Sequence, residues 1–254
     1  MRDHPNLWVI LITNQLIALV VLLCIFGFPN YAALSRETLI IVLCAGVVWT
    51  VGPVFETAAN KYLDVAINET LSGLRYILLT IVGIFFFSES FTTLDTVGAA
   101  LIVLSVFLIA EIQSLEFNIG ALLKIAAILI TTVAHSFDKF LTASVSPGFI
   151  ATNGFLMAAI INTVLYRKHL KEIPYELKRS KGLIILAPLI LVGAYYFTLV
   201  AYAQGELTTV SAIKQCSPVL SFLLAYLILR ERRKGLRRVI SVLICVLGAF
   251  LVAI

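Results

Sequence analysis

Charge is scarce in this chain. Of its 254 residues only 13% are Asp, Glu, Lys or Arg, against about a quarter in an ordinary soluble domain, while 61% are hydrophobic. Too few polar side chains exist to cover a soluble globule, and the short polar breaks between apolar runs leave no room for a separate soluble domain. The signatures of a membrane enzyme are also missing: there is no H-E-x-x-H, no G-x-S-x-G and no phosphate-binding glycine loop. The chain reads as a non-enzyme. Its four cysteines, Cys24, Cys44, Cys216 and Cys245, lie inside apolar runs with no C-x-x-C and no histidine cluster nearby. They read as buried small hydrophobes, so no disulfide, metal or cofactor is assigned.

What the chain has is long apolar runs. A bilayer core about 30 Å thick takes about 20 residues of helix, and nine such runs can be counted: Leu7 to Phe28, Glu37 to Ala58, Asp64 to Phe87, Phe91 to Ala110, Phe117 to Lys139, Ser146 to Tyr166, Gly182 to Ala201, Glu206 to Leu229 and Leu236 to Ile254. None alternates apolar with polar, which excludes the strands of a membrane barrel. The first run is too long for a signal peptide and lacks a small-residue cleavage pattern, so it is expected to remain as a helix. The expected fold is an all-α polytopic bundle of nine transmembrane helices.

A shift of 142 residues aligns the chain with itself without gaps, carrying Ala59 onto Ala201. Glu89 then falls on Glu231, Leu94 on Leu236, Val97 on Val239, Leu101 on Leu243 and Ile102 on Ile244. Four helices of the first half find partners, and the fifth run maps to positions before Met1. The repeats are therefore placed at 1–112 and 113–254, four helices plus five. Either nine helices are the full set, or the first helix of a five-plus-five ancestor is missing. An odd number of helices per repeat inserts successive repeats upside down, the inverted arrangement of many secondary transporters, with a substrate site near the midplane.

Two features resemble the EamA-like domain of the drug/metabolite transporter superfamily. A glutamate closes the fourth helix of each repeat, in "FFFSES" (Glu89) and "LILRER" (Glu231), and a polar or basic step leads into the last helix. The stretch "SPVLSFLLAYLILRER" is the closest match, and the resemblance spans both halves. Departures are the absent first helix and Ile240 where the first half has Gly98. The resemblance implies a transporter with a basic residue, in members that carry nucleotide sugars or phosphorylated sugars, at a place comparable to Lys214.

Twelve of the nineteen Lys and Arg lie in two loops, one from Arg167 to Lys181 and one from Arg230 to Arg238. Positive loops stay cytoplasmic, which places Met1 inside and Ile254 outside the cell or inner membrane. The resemblance instead implies ten helices with both termini inside; the charge count is followed here. These cations set topology, with anionic lipid as a secondary role.

Among the charges that the loops do not explain, Arg75, Lys214 and Glu69 stand out. A charge at mid-bilayer costs about 2.5–3.5 kcal/mol on insertion scales and is expected to face protein or a water-filled cavity. The repeat carries Lys214 onto Ser72 and Arg75 onto Ser217. Residues three apart share a helix face, so the two cations are expected on equivalent faces, one from each half. The bland alternatives are pairing of Arg75 with Glu69 or Glu56 and snorkelling of Lys214 to the interface. Further candidate substrate contacts are Gln215, Tyr195, Tyr196 and Asn14, with Gln15 read as an interhelical hydrogen-bonding residue. His135 and Asp138 read as structural, with a proton relay as the sharper alternative. Pro53 (beside Gly52), Pro188 and Gly193 are candidate hinges.

The function expected from these features is secondary transport of a small polar metabolite, anionic or zwitterionic, by alternating access. The alternative is a non-transporting remnant or subunit that needs a partner to complete its cavity. Expected partners are the small-molecule substrate and the lipid bilayer, with room for a homodimer or partner subunit and no role for nucleic acid.

Overall fold

A computed structural model gives the fold for residues 6–63, 68, 71–109, 118–179, 183–214, 217 and 235–253. The described elements are helices: α1 (Leu7–Phe26), α2 (Arg36–Ala59), α3 (Leu74–Phe87), α4 (Thr93–Ile109), α5 (Ile119–Leu141), α6 (Pro147–Leu165), α7 (Ile173–Arg179), α8 (Leu183–Gln204), α9 (Leu207–Lys214) and α10 (Gly235–Ala253). Short 3-10 turns cover Tyr31–Ala33 and Arg167–Glu172. Among the described residues five helices are long and apolar enough to cross a bilayer: α1, α2, α5, α6 and the Ile185–Gln204 part of α8. Gln215, Glu69, Glu231 and most of the eighth run lie outside the described residues.

Local chemistry sets the helix ends. Asn6 caps α1 by accepting from the Trp8 N–H at 3.1 Å, and Asn118 caps α5 through the Ala121 N–H at 3.1 Å. Thr92 and Asp95 form a reciprocal capping box at the start of α4. Pro147 occupies the first turn of α6 behind Ser146, where its missing N–H costs nothing. Both Pro53 and Pro188 lie inside continuous helices, α2 and α8.

The chain divides into two compact units, each drawing on both halves of the sequence. One comprises Met1–Thr57 and Val133–Gln204, the other Ala58–Thr132 and Gly205–Ile254. The core of the first gathers Leu22 of α1, Val42 of α2, Leu141 of α5, Phe155 of α6 and Leu199 of α8. Tyr76, Ile102, Ala212 and Cys245 form one core of the second, and Leu71, Ala121 and Ile128 another.

Helices related by the 142-residue shift pack against one another. In the first unit Trp8 stacks on Tyr166 at 4.4 Å, Gln15 accepts from the Asn162 amide at 3.0 Å, and Phe26 lies against Gly148. As α1 advances its partner moves back along α6, so the pair is antiparallel. In the second unit Gly98 faces Gly248 and Val252, whereas Ile102, one turn on, faces Gly248, so α4 and α10 are antiparallel too. A Cβ on Gly98 would come within 2.6 Å of the Gly248 carbonyl oxygen, and glycine at both positions permits this close crossing. Thr208 meets Gly83 and Ala212 shares a core with Tyr76, so α3 and α9 pack together as well, although the shift carries α3 onto 216–229 rather than onto α9.

Two expectations are corrected. Cys24 and Cys44 are exposed on their helices and only Cys245, of the described cysteines, is buried. A lipid-facing position is as apolar as a core, so hydropathy does not distinguish the two. The basic segment after α6, read as loop, folds into the 3-10 turn Arg167–Glu172 and α7.

Candidate functional site

The two cations singled out in the sequence are on α3 and α9 of the second unit. Arg75 is half-buried one residue before Tyr76, and Lys214 is exposed two residues beyond Ala212. Tyr76 and Ala212 belong to one core cluster, so Arg75 and Lys214 each lie within two residues of the core that α3 and α9 share. Ser72, one turn before Arg75, donates its hydroxyl to the Asn68 carbonyl at 3.0 Å.

The start of α9 is fixed by a residue from the end of α3. Ser88 adopts the left-handed conformation at φ 53°, and the Glu89 N–H returns to the Gly83 carbonyl at 3.1 Å, closing the helix. That reversal aims the Glu89 carboxylate at the first turn of α9, where Oε1 accepts from the Leu207 N–H at 2.5 Å and Oε2 from the Thr208 N–H at 2.9 Å. A carboxylate here satisfies two orphan donors and complements the positive end of the helix dipole. Gly83 makes room, since a Cβ there would approach Thr208 Cγ2 to 2.7 Å and collide with Glu89.

The first unit holds a buried polar cluster centred on Asp138 of α5, which is 1% exposed. Tyr195 of α8 donates its hydroxyl to Oδ1 at 2.9 Å, Trp49 of α2 donates its indole N–H to Oδ2 at 3.3 Å, and His135 Nδ1 stands 3.3 Å from Oδ2. A carboxylate inside a spanning segment needs such donors to offset the loss of water. The Trp49 ring lies 4.4 Å from that of Tyr195, and Phe155 of α6 packs on both. Beside them is a cavity of about 10 Å³, room for about one water molecule, lined among others by Gly46, Trp49, Asp138, Asn153 and Tyr195. Asn153 ties the cluster outward, donating to the Val42 carbonyl at 3.0 Å and accepting from the Tyr31 hydroxyl at 2.9 Å. Tyr31 is in the 3-10 turn outside the spanning helices, where burial pushes its hydroxyl pKa up and keeps it a donor. Lys139, next to Asp138, points elsewhere and donates to the Tyr202 carbonyl at 2.9 Å.

The other sequence-derived candidates divide. Tyr195 lines the cavity with its hydroxyl engaged by Asp138, while Tyr196 is half-buried with its ring 5.0 Å from Phe26. The Asn14 amide oxygen is buried with no hydrogen-bond partner among the described residues. Gly193 has open space where a Cβ would project. Two residues were passed over. Lys124 of α5 is fully buried on the face that carries Ala121 and Ile128, and its signal was plain: a lysine seven residues into an apolar run. Trp49 carried no comparable signal, because its partner Asp138 is 89 residues away.

Comparison with known proteins bears on both halves of the chain. A family model described as the EamA-like transporter family matches residues 2–110 and again 118–254. A solved structure described only as "Crystal structure of protein" superposes at a TM-score of 0.70 with 16% identity, covering 100% of this chain and 90% of that one. At that identity the likeness concerns the fold alone. No curated protein matches the sequence.

Proposed function

The chain belongs to the EamA-like transporter family, and on that premise we propose that it is a secondary transporter in which Arg75 and Lys214 hold the negative group of a small anionic or zwitterionic metabolite. The observation that carries this reading is the packing of α3 against α9. Tyr76 and Ala212 share a core, and each helix carries a cation within two residues of it. A cation on each of two neighbouring helices offers an anionic group two points of attachment in a medium of low dielectric.

Alternating access follows from the same pairing. Repeats at 1–112 and 113–254, inverted and crossing the membrane nine times, would set each helix antiparallel to its own repeat mate. The antiparallel pairs α1 with α6 and α4 with α10 support that arrangement. A pseudo-two-fold of this kind allows two mirror-related states of similar energy, one open to each side. Pro53, Pro188 and Gly193 are the places where α2 and α8 would bend between them. The membrane is the plasma or inner membrane.

The test is a thermal-shift screen of purified protein against organic anions, amino acids and sugar phosphates, repeated with Lys214→Ala. The reading expects at least one compound that stabilises the wild type and loses its effect in the variant. Equal shifts in both proteins across the panel would remove Lys214 from the site.

A further inference from the structure

We propose that the segment Arg167–Arg179, which joins α6 to α8, is a docking surface for anionic lipid headgroups of the bilayer the protein crosses. The segment is folded rather than slack. Trp8 at the start of α1 stacks on Tyr166 with the planes 13° apart, and Asn6 reaches into the turn that follows. The Asn6 side-chain amide donates to Glu172 Oε2 at 2.9 Å and stands 3.1 Å from His169 Nδ1, while its backbone N–H donates to Glu176 Oε1 at 3.3 Å. These contacts turn both acids of the segment toward α1. Glu176 is 6% exposed.

The cations are sorted to the other side. Arg167, Lys168, Lys171 and Lys178 are all exposed, and no ion pair among the described residues involves any of them. Arg179 stands 3.9 Å from Glu176. Of the two carboxylates of the segment Glu176 is buried and Glu172 is engaged by Asn6 and His169, while four of its five cations are exposed with no ion pair among the described residues. Between the cations, Tyr175 is 58% and Leu177 37% exposed. An amphipathic ring and an aliphatic side chain flanked by lysines form an interfacial helix, with the apolar groups entering the headgroup boundary and the ammonium groups meeting phosphates. The segment begins where the spanning helix α6 ends, so it emerges at headgroup depth. A headgroup boundary would cover the exposed Tyr175 and Leu177, which a small soluble anion would leave bare, and this favours lipid.

The chain has two tryptophans, Trp8 and Trp49, so Trp49→Phe leaves Trp8 as a single reporter beside Tyr166. This protein is reconstituted into bilayers that mix phosphatidylcholine and phosphatidylglycerol, with one or the other lipid brominated on its acyl chains. Quenching of Trp8 then reads which lipid stands next to it. The expected result is a preference for the anionic lipid of about fivefold or more at low salt, falling toward one at molar salt, where the screening length is about 3 Å. Arg167→Gln, Lys168→Gln, Lys171→Gln and Lys178→Gln combined should bring the ratio near one at low salt. Equal quenching by both lipids in the reporter protein overturns the proposal, and so does a preference that neither salt nor the four substitutions change. The salt titration needs no substitution in the segment, so poor insertion of the combined variant leaves the proposal testable.

Discussion

The Glu89 carboxylate, placed by a left-handed turn at Ser88, accepts the backbone N–H of Thr208 at 2.9 Å and ties the end of α3 to the start of α9. Lys214 is at the other end of α9 as described, so the glutamate fixes the helix that carries the candidate substrate cation. Replacing Glu89 by alanine leaves two N–H groups without an acceptor and should lower stability by about 1–3 kcal/mol. Glutamine keeps one oxygen and should cost less. Gly83→Ala should reproduce much of the alanine effect without touching the carboxylate, because its Cβ occupies the space of Glu89 and Thr208. Thermal unfolding of the three variants in detergent checks the order, and a Gly83→Ala protein as stable as wild type would contradict it.

Asp138 gathers a tyrosine, a tryptophan and a histidine from three different helices. Asp138→Asn replaces a charged acceptor by a neutral amide and should cost about 1.5–3 kcal/mol, the worth of a hydrogen bond to a charged group. Tyr195→Phe removes one of the donors to this carboxylate and should also cost about 1.5–3 kcal/mol. With Trp8→Phe in the background, Trp49 is the sole tryptophan, and its emission should shift in the asparagine variant because its indole N–H loses the carboxylate partner. An unchanged spectrum together with unchanged stability would mean that the cluster is not formed.

Gly98 and Gly248 hold the α4 and α10 backbones at their closest approach. A methyl group on Gly98 meets the Gly248 carbonyl oxygen at 2.6 Å, an atom that no side-chain rotation moves away. Gly98→Ala should therefore cost about 1–3 kcal/mol, the usual range for overpacking, and Gly98→Leu more. Gly193→Ala, where nothing stands within 4 Å, is the matched control and should cost no more than a few tenths of that. Unfolding midpoints of the three proteins decide the point.

How much of this was readable in the sequence differs by element. The spanning helices α1, α2, α5, α6 and α8 begin and end within a few residues of their apolar runs, since hydropathy reports the length a bilayer demands. The 142-residue shift relates α1 to α6 and α4 to α10, which pack as antiparallel pairs, but spacing in sequence did not say which helices would touch. Glu89 stood out as a helix-ending glutamate, but its role did not, because its acceptor sites are 118 and 119 residues further along the chain. The Asp138 cluster was half legible. His135 lies one turn away on the same helix, whereas Tyr195 is 57 residues distant and is brought in by tertiary packing. The fold of Arg167–Arg179 was hidden because its order comes from Asn6, far away in sequence, rather than from apolar periodicity of its own.

The central claim is that Arg75 and Lys214 hold the negative group of a transported substrate. Uptake into proteoliposomes measures it most directly, with wild type, Lys214→Gln and Arg75→Gln compared on the compound that stabilises the wild type most. Removing either cation should lower uptake at limiting substrate about tenfold or more, as expected for loss of a charge-assisted contact of about 1.5–3 kcal/mol, while neutral analogues of the compound lose little. Uptake by both variants at the wild-type rate would contradict the account.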